Sequence, residues 1–358
     1  MNALPATASV PAPSETLARA YARVSLRRAL LLAAFAAALT LSFLFDVSTG
    51  PSSFPLADIV HGLFDPASLP IAQNIILWDV RLPYAVMAVL VGASLGLAGG
   101  EMQTVLNNPL ASPLTLGVSA AAAVGASLAI LLDIHIPGVD ANYIIAGCAF
   151  VSAATTTLAI QVLARVFGAS TNAVILFGIA LTFALNALVS LIQFMADSDT
   201  LQQIVFWTMG GLTRATWDKI AILAVVAAVC LALSLRSVWA MTALRTGEDQ
   251  ARSLGVAVER LRLVTLLRVS LLAAVAVAFV GTIGFIGLVA PHMSRLALGE
   301  DHRFYVPGCA LAGALVLSLS SITSKLIVPG LIVPVGIVTA LVGIPMFLGL
   351  IVRQRGGL

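Results

Sequence analysis

Long apolar runs separated by short polar segments divide the chain into its predicted elements. A helix needs about 20 apolar residues to cross a bilayer, within a range of roughly 17–25. The runs that approach this length cover residues 29–45, 84–105, 114–132, 143–166, 173–196, 220–235, 264–298, 304–322 and 332–352. The run 264–298 is too long for one simple span, and Gly281, Gly284 and Gly287 interrupt its middle. The pattern therefore predicts an all-α polytopic membrane protein with nine or ten spans.

The distribution of positive charge favours ten spans. Cytoplasmic loops of membrane proteins carry an excess of Lys and Arg. With the N-terminus inside, ten spans place 15 of the 19 cations in the cytoplasm and leave Arg81, Arg214, Lys219 and Lys325 outside. Nine spans would move four of the inside arginines out and bring in only Lys325. The sequence thus predicts a cytoplasmic tail over residues 1–28, a transmembrane domain over 29–358, and both termini in the cytoplasm.

Composition excludes several other classes of protein. Hydrophobic residues make up 60% of the chain and charged residues 10%, whereas soluble domains carry about 25% charged residues. This excludes a soluble enzyme and a nucleic-acid-binding protein, and it makes the lipid bilayer a predicted partner. No Lys follows a Gly, so the chain cannot bind ATP through a P-loop. The four histidines and three cysteines show no metal-ligand spacing, and we predict no catalytic, cofactor or metal site.

Two features of the second span carry alternative interpretations. Gly92, Gly96 and Gly100 recur every four residues, which favours close helix packing in lipid but also suits a slim helix beside a substrate pathway. Glu101 is the only acid well inside an apolar run, where an acid costs about 2.5–3.5 kcal/mol at the bilayer centre. Its carboxyl either reaches interfacial water or a neighbouring amide, or has a functional role. A secondary transporter would need several such charges near mid-membrane, and this class is kept as an alternative.

The longest polar cytoplasmic segment covers residues 245–262. Its apolar residues are Ala251, Leu254, Val256 and Val258, and charges of both signs flank them. This pattern predicts a short amphipathic helix ending at Gly255. The length of the segment suits a docking element for a soluble partner.

An ordered set of motifs resembles the FecCD-type permease subunits of ABC importers for iron–siderophores, haem and cobalamin. The motifs run from about residue 75 to the C-terminus, and together they are highly specific. They are Arg81-Leu-Pro83, Asn108-Pro-Leu-Ala-Ser-Pro113, Trp207-Thr-Met-Gly-Gly-Leu212, Ala251-x-x-Leu-Gly255, Gly284-Phe-Ile-Gly-Leu-Val-Ala-Pro-His292, Asp301-His-Arg303 and Pro334-Val-Gly-Ile-Val-Thr339.

The resemblance implies the fold, partners and activity of the chain. A type II ABC importer permease has ten helices and pairs with a second copy or a close relative. Two cytoplasmic ATPase subunits drive it, and an extracytoplasmic binding protein delivers the cargo. We therefore expect a non-catalytic subunit of the inner membrane that imports a ferric siderophore, with haem and then cobalamin as alternatives.

The resemblance also implies roles for particular residues. The ATPase-coupling segment, about 241–262, is expected to act through Ala251, Arg252, Leu254, Gly255, Val256 and Glu259. The expected cytoplasmic gate is Ser170, Thr171 and Asn172. Arg81 and Lys325 are expected to dock the binding protein. Small and polar residues on the second and fifth spans are expected to line the pathway, namely Gly96, Gly100, Thr182, Asn186 and Ser190.

The chain departs from the family pattern near its predicted outer face. Tyr84 stands where a second Arg is common, and Lys325 where Arg is usual. Ser320 and Ser321 replace a common Ala-Asp pair, and Ile332 replaces a frequent Glu.

Overall fold

The computed structural model describes residues 13–50, 55–66, 69–166 and 171–355, and within these ranges the regular elements are helical. The first half contains α1 (Pro13–Ser48), α2 (Leu56–Phe64), α3 (Ile71–Ile75), a π-helical turn (Ile76–Arg81), α4 (Leu82–Val105), α5 (Val118–Leu131), α6 (Ala141–Val166) and α7 (Thr171–Met195). The second half contains α8 (Ser198–Thr208), α9 (Trp217–Arg236), α10 (Val238–Leu244), α11 (Glu248–Ser253), α12 (Val258–Val280), α13 (Ile286–Leu298), α14 (His302–Leu326) and α15 (Val335–Arg355).

The predicted spans all coincide with helices of the described chain. Among the described residues, seven stretches are long and apolar enough to cross a membrane by themselves, and they lie in α1, α3–α4, α6, α7, α9, α12 and α14. Helices α5 (14 residues), α13 (13 residues) and α15 (21 residues) occupy the other three positions. The run 264–298 divides between α12 and α13, because Gly281 (φ +78°) and Phe285 (φ +65°) take left-handed backbone conformations that no helix continues. The prediction of an all-helical membrane fold is confirmed, and the count of ten spans stays a prediction.

Helix α1 begins earlier than the predicted tail allows. It is continuous from Pro13, so the part of the 1–28 tail that the structure describes is helical. Arg19, Arg23 and Arg27 recur every four residues among Ala and Leu, and all three residue types favour helix. The arginines therefore extend the first helix beyond its apolar run. Residues 1–12 lie outside the described residues.

Helix α4 is the central helix, and it packs antiparallel against α14. A Cβ atom on Gly92 would collide with the backbone of Gly313, and one on Gly96 with the carbonyl oxygen of Cys309. A Cβ on Gly100 would meet the Cys309 side chain. Glycine at these positions lets the two backbones approach closely, as small residues do in membrane proteins. The four-residue glycine pattern therefore serves helix packing.

Polar and charged contacts distinguish the two ends of the helix bundle. We call one the basic end, where the last turn of α4 meets the starts of α12 and α14 and the end of α13. Its contacts are Arg28 with Asp301 (3.5 Å), Arg245 with Glu300 (2.6 Å), Arg262 Nε with the Val105 carbonyl (3.2 Å) and Thr104 with His302 (2.9 Å).

The opposite end, the acidic end, holds the last turns of α1 and α14 and the first turns of α4, α6 and α9. Its contacts are Lys325 with Asp46 (2.7 Å), the Trp217 indole nitrogen with the Trp78 carbonyl (2.9 Å) and the Tyr143 hydroxyl with Asp218 (3.4 Å). Since α1 contacts α14 at both ends in the same order, these two helices run parallel. All four cations that the charge count places outside lie at the acidic end.

Helix α8 lies at the acidic end and has a well-formed N-terminus. The Asp197 carboxylate accepts hydrogen bonds from the backbone of Asp199 and Thr200 and from the Thr200 hydroxyl, at 2.9–3.0 Å. These bonds, led by the one from the Thr200 backbone, lower the pKa of Asp197. Beyond Trp207 the chain reaches Gly210 (φ +70°), where a Cβ atom would collide with the carbonyl oxygen of Thr282.

Candidate functional site

The predicted coupling segment forms two short helices at the basic end, α10 and α11. Ala251 on α11 is buried, and the turn after it requires Gly255, which takes φ +83°. Val256 is also buried, in a core cluster that includes Val258 of α12. Leu254 remains 53% exposed. The predicted amphipathic helix is thus present, but its apolar face is divided between the core and the surface.

Ion pairs fasten the coupling segment to the first turns of α12. The Arg252 guanidinium contacts Glu248 (3.5 Å) and Asp249 (3.7 Å) on its own helix and Glu259 (2.6 Å) on α12. Arg262 on α12 pairs with Glu248 in return. Because these groups are substantially exposed, each pair contributes little stability alone. As a network they define the orientation of α11 relative to α12.

Two turns further along α12, a buried ion pair joins this helix to α4. Arg268 is 5% exposed and Glu101 is 1% exposed. The Arg268 Nε donates to Glu101 Oε2 at 2.8 Å, and a second bond joins Nη2 to Oε1. This bidentate geometry is the strongest that a guanidinium and a carboxylate can form. Glu101 therefore reaches neither interfacial water nor an amide, and its partner is an arginine.

The sequence analysis does not predict this pair, because the charge count treats Arg268 only as a cytoplasmic cation. It lies four residues inside the apolar run 264–298. Such a pair is indicated when one apolar run contains a lone arginine, another contains a lone acid, and both lie near the same predicted membrane face.

The predicted pathway residues fall into two groups. Gly96 and Gly100 are buried in the α4–α14 contact described above. On α7, the hydroxyl of Thr182 donates to the Gly178 carbonyl (2.8 Å) and that of Ser190 to the Asn186 carbonyl (3.1 Å). Asn186 and Ser190 are exposed on the surface of the chain. Asn186 and Ser190 on α7 are thus available to a pathway or a partner, whereas Gly96 and Gly100 are exposed to neither.

The predicted gate lies at the boundary of the described chain. Thr171 and Asn172 begin α7, and their side chains lie outside the described residues. Ser170 also lies outside them. The gate assignment stays a prediction.

The two predicted docking cations are buried at the acidic end. Lys325, 7% exposed, donates to the Asp46 carboxylate (2.7 Å) and to the Asp46 carbonyl (2.8 Å). Arg81, 4% exposed, donates to the carbonyl oxygens of Val47 (3.1 Å) and Ser48 (2.8 Å). Both side chains therefore hold the end of α1 against α4 and α14. Their docking role stays a prediction, and it requires a partner's acid to compete with these internal acceptors.

Comparison with known proteins places the chain among membrane permeases. A sequence model of the FecCD transport family matches residues 37–353. The hemin transport system permease protein HmuU of Yersinia pestis is 36% identical over 77% of this chain and 83% of its own length. The vitamin B12 import system permease protein BtuC of Shigella boydii is 35% identical over 95% of this chain and 99% of its own length.

The helical arrangement also has a solved counterpart. The structure of a proposed metal-chelate type ABC transporter, in an inward-facing conformation, superposes with a TM-score of 0.79 at 30% identity and covers 90% of this chain and 99% of that one. The family match spans most of the sequence, and the fold match spans most of the structure. The chain therefore belongs to the FecCD transport family of ABC-importer permeases, as a multi-pass membrane subunit that is not itself catalytic.

Proposed function

We propose that this permease imports a metal chelate of the tetrapyrrole class, haem or cobalamin. The observation that carries the proposal is the likeness, at 36% and 35% identity over most of the chain, to permeases named for hemin and vitamin B12. The sequence-based preference for a ferric siderophore rests on overall resemblance, because no ligand-reading residue supports it. The named relatives support its two alternatives better.

Uptake by the reconstituted importer tests the cargo. Proteoliposomes with the ATPase and binding protein of the same system are offered haem, cyanocobalamin and a ferric hydroxamate siderophore at equal concentrations. We expect ATP-dependent accumulation of one tetrapyrrole at least ~10-fold above the siderophore, since about 1.4 kcal/mol of preference suffices for that ratio. Vesicles with a hydrolysis-deficient ATPase provide the control. The reverse ranking would return the assignment to ferric siderophores.

The distribution of charge supports one orientation of the chain in the membrane. The basic end carries Arg28, Arg245 and Arg262, while the acidic end carries Asp58, Asp133 and Asp218. Membrane proteins retain Lys and Arg on the cytoplasmic side. We place the basic end, the coupling segment and both termini in the cytoplasm, and the acidic end outside.

We further propose that the importer contains two copies of this permease, two ATPase subunits and one extracytoplasmic binding protein. Membership of the ABC-importer family supports the ATPase and the binding protein. The exposed surface of α7 supports the second copy: Asn186 and Ser190 lie among exposed apolar residues, and a polar stripe on a membrane helix favours a partner or a water-filled path over lipid. The cargo would pass beside this stripe and leave through the predicted gate at residues 170–172.

Thiol accessibility on α7 tests the path. In a variant without the three native cysteines, Asn186→Cys should react with a charged, membrane-impermeant thiol reagent and cross-link to its counterpart in the second copy. Leu188→Cys is the matched control, because a residue two positions along a helix points to the opposite side and Leu188 is exposed and apolar. Equal reaction at both positions, or none at residue 186 in any nucleotide state, would move the path away from α7.

A further inference from the structure

A polar cluster at the basic end joins the coupling segment to the end of α4 and to the corner between α13 and α14. Arg245, the residue that follows α10, donates from Nη1 to the Asn107 side-chain oxygen at 3.0 Å and from Nη2 to the Glu300 carboxylate at 2.6 Å. Asn107 lies just beyond the end of α4, and Glu300 lies between α13 and α14. One guanidinium thus connects parts of the chain that are 138 and 55 residues away from it in sequence.

The cluster continues from Glu300 into the interior of the bundle. Arg295 Nε on α13 lies 3.3 Å from the same Glu300 oxygen that Arg245 contacts. Arg295 Nη2 donates to Gln103 Oε1 and to the Tyr305 hydroxyl, both at 3.2 Å. Gln103 lies in the last turn of α4 and is buried. We call these residues the corner cluster: Arg245, Asn107, Glu300, Arg295 and Gln103.

The corner cluster is better shielded from water than the ion pairs of α11. The Arg245 and Arg295 side chains are 27% and 24% exposed, whereas the Arg252 side chain is 48% exposed. Among the described residues, Glu300 supplies the carboxylate within ion-pair distance of both Arg245 and Arg295. Charge-assisted hydrogen bonds are stronger than neutral ones, and shielding from water strengthens them further. The cluster therefore holds its elements together as one unit.

A second set of contacts joins α10 to the same two helices. The backbone N–H of His302, at the start of α14, donates to the Thr242 hydroxyl on α10 at 3.3 Å. The ring of His302 lies 2.9 Å from the Thr104 hydroxyl on α4. A displacement of α10 must therefore either carry the ends of α4 and α14 with it or break both sets of contacts.

We propose that Arg245 and Glu300 are positioning residues for ATP-driven transport. They keep α10 attached to α4 and α14 throughout the cycle, so the ends of these helices move when the ATPase displaces the coupling segment. Contiguous networks of ion pairs and hydrogen bonds between rigid elements carry such coupling. Helix α4 packs against α12, α13 and α14, so its movement reaches most of the bundle. The inference rests on the proposed importer function and on the cytoplasmic placement of the basic end.

Uptake and ATP hydrolysis in the same proteoliposomes test the role of Arg245. Arg245→Gln should lower the uptake per ATP hydrolysed about 5-fold, while hydrolysis by the assembled complex continues. Arg245→Lys should fall between wild type and Arg245→Gln, because lysine keeps the charge and loses the fixed fork that binds two acceptors. Arg303→Gln removes the same charge from the same corner, and it should keep the wild-type ratio because Arg303 is 65% exposed. Thermal midpoints establish that each variant is folded, and a wild-type ratio in folded Arg245→Gln would overturn the proposal.

A covalent link separates a mechanical role from an electrostatic one. In the variant without native cysteines, Arg245→Cys together with Glu300→Cys removes the ion pair and should reproduce the loss of uptake per ATP. A short bifunctional maleimide that bridges the two thiols should restore most of this loss. N-ethylmaleimide caps both thiols without joining them and should restore none. An equally low ratio in the bridged and capped proteins would overturn the proposal, because a link that stays closed transmits movement whatever its chemistry.

The cargo in both experiments is the compound that the wild-type importer accumulates. Accumulation of the siderophore would contradict the proposed tetrapyrrole cargo. The ratio of siderophore uptake to ATP hydrolysis would then test the corner cluster in the same way, so the two proposals fail independently.

Discussion

Glu101→Leu is expected to lower the thermal midpoint of the purified protein by roughly 10 °C. The substitution leaves the Arg268 guanidinium buried between α4 and α12 without a counter-charge. Removing one partner of a buried ion pair costs about 3–5 kcal/mol, and a large domain loses about 2–4 °C per kcal/mol. Thermal unfolding in detergent, followed by intrinsic fluorescence, measures the change.

The double variant Glu101→Leu with Arg268→Met makes the test specific to charge. It removes both ions and keeps approximately the same volume, and such replacements are often neutral or stabilising. We expect most of the lost stability to return. Glu259→Gln is the control. Glu259 lies on α12, as Arg268 does, and forms an exposed ion pair with Arg252, so we expect no measurable change in the thermal midpoint. If the double variant were as unstable as Glu101→Leu, packing rather than charge compensation would explain the loss.

The helices could be predicted from the sequence because one property determines them. A backbone in lipid must satisfy its own hydrogen bonds, so a long apolar run has no alternative to helix. The sequence also predicts the close helix contact of α4, since the spacing of Gly92 and Gly96 alone places them on one face. The break in the 264–298 run is a similar case, because Gly281 supplies a backbone conformation that ends α12.

Pairings between distant helices could not be predicted in the same way. Asp46 and Lys325 are 279 residues apart, and no local pattern indicates that α1 supplies the counter-ion. The resemblance places an Asp where this chain has Ser321, and here the Ser321 hydroxyl donates to Asp46 at 2.8 Å instead. The acid that neutralises Lys325 therefore comes from another helix, which explains how a departure from the family pattern coexists with a satisfied buried charge.

The sequence also could not predict how the apolar residues of the coupling segment divide between the core and the surface. Leu254 and Val256 are both apolar and are separated by a single glycine, so the pattern assigns them one face. The left-handed turn at Gly255 sends Val256 into the core and leaves Leu254 exposed. A coupling role for this segment therefore depends on Leu254 far more than on Val256.

Leu254→Asp is expected to reduce ATP-driven uptake at least ~10-fold, while ATP hydrolysis by the assembled complex continues. We propose that Leu254 inserts into an apolar groove of the ATPase subunit, with Arg252 and Glu259 at the rim. A carboxylate in such a contact loses its hydration without gaining a partner, and a central interface residue contributes about 2 kcal/mol or more. Because the side chain is exposed in the isolated permease, the variant should fold normally.

Uptake and hydrolysis are measured on the same proteoliposomes, so that their ratio reports coupling directly. Leu254→Met keeps an apolar side chain of similar volume and should retain most of the uptake. Val256→Asp should instead fail at the level of the folded permease, because Val256 packs in the core beside α12. A Leu254→Asp complex that assembles, hydrolyses ATP and imports cargo at the wild-type ratio would exclude this side chain from coupling. The ion-pair network of Arg252 with α12 would then be the remaining mechanical link between the segment and the buried Glu101–Arg268 pair.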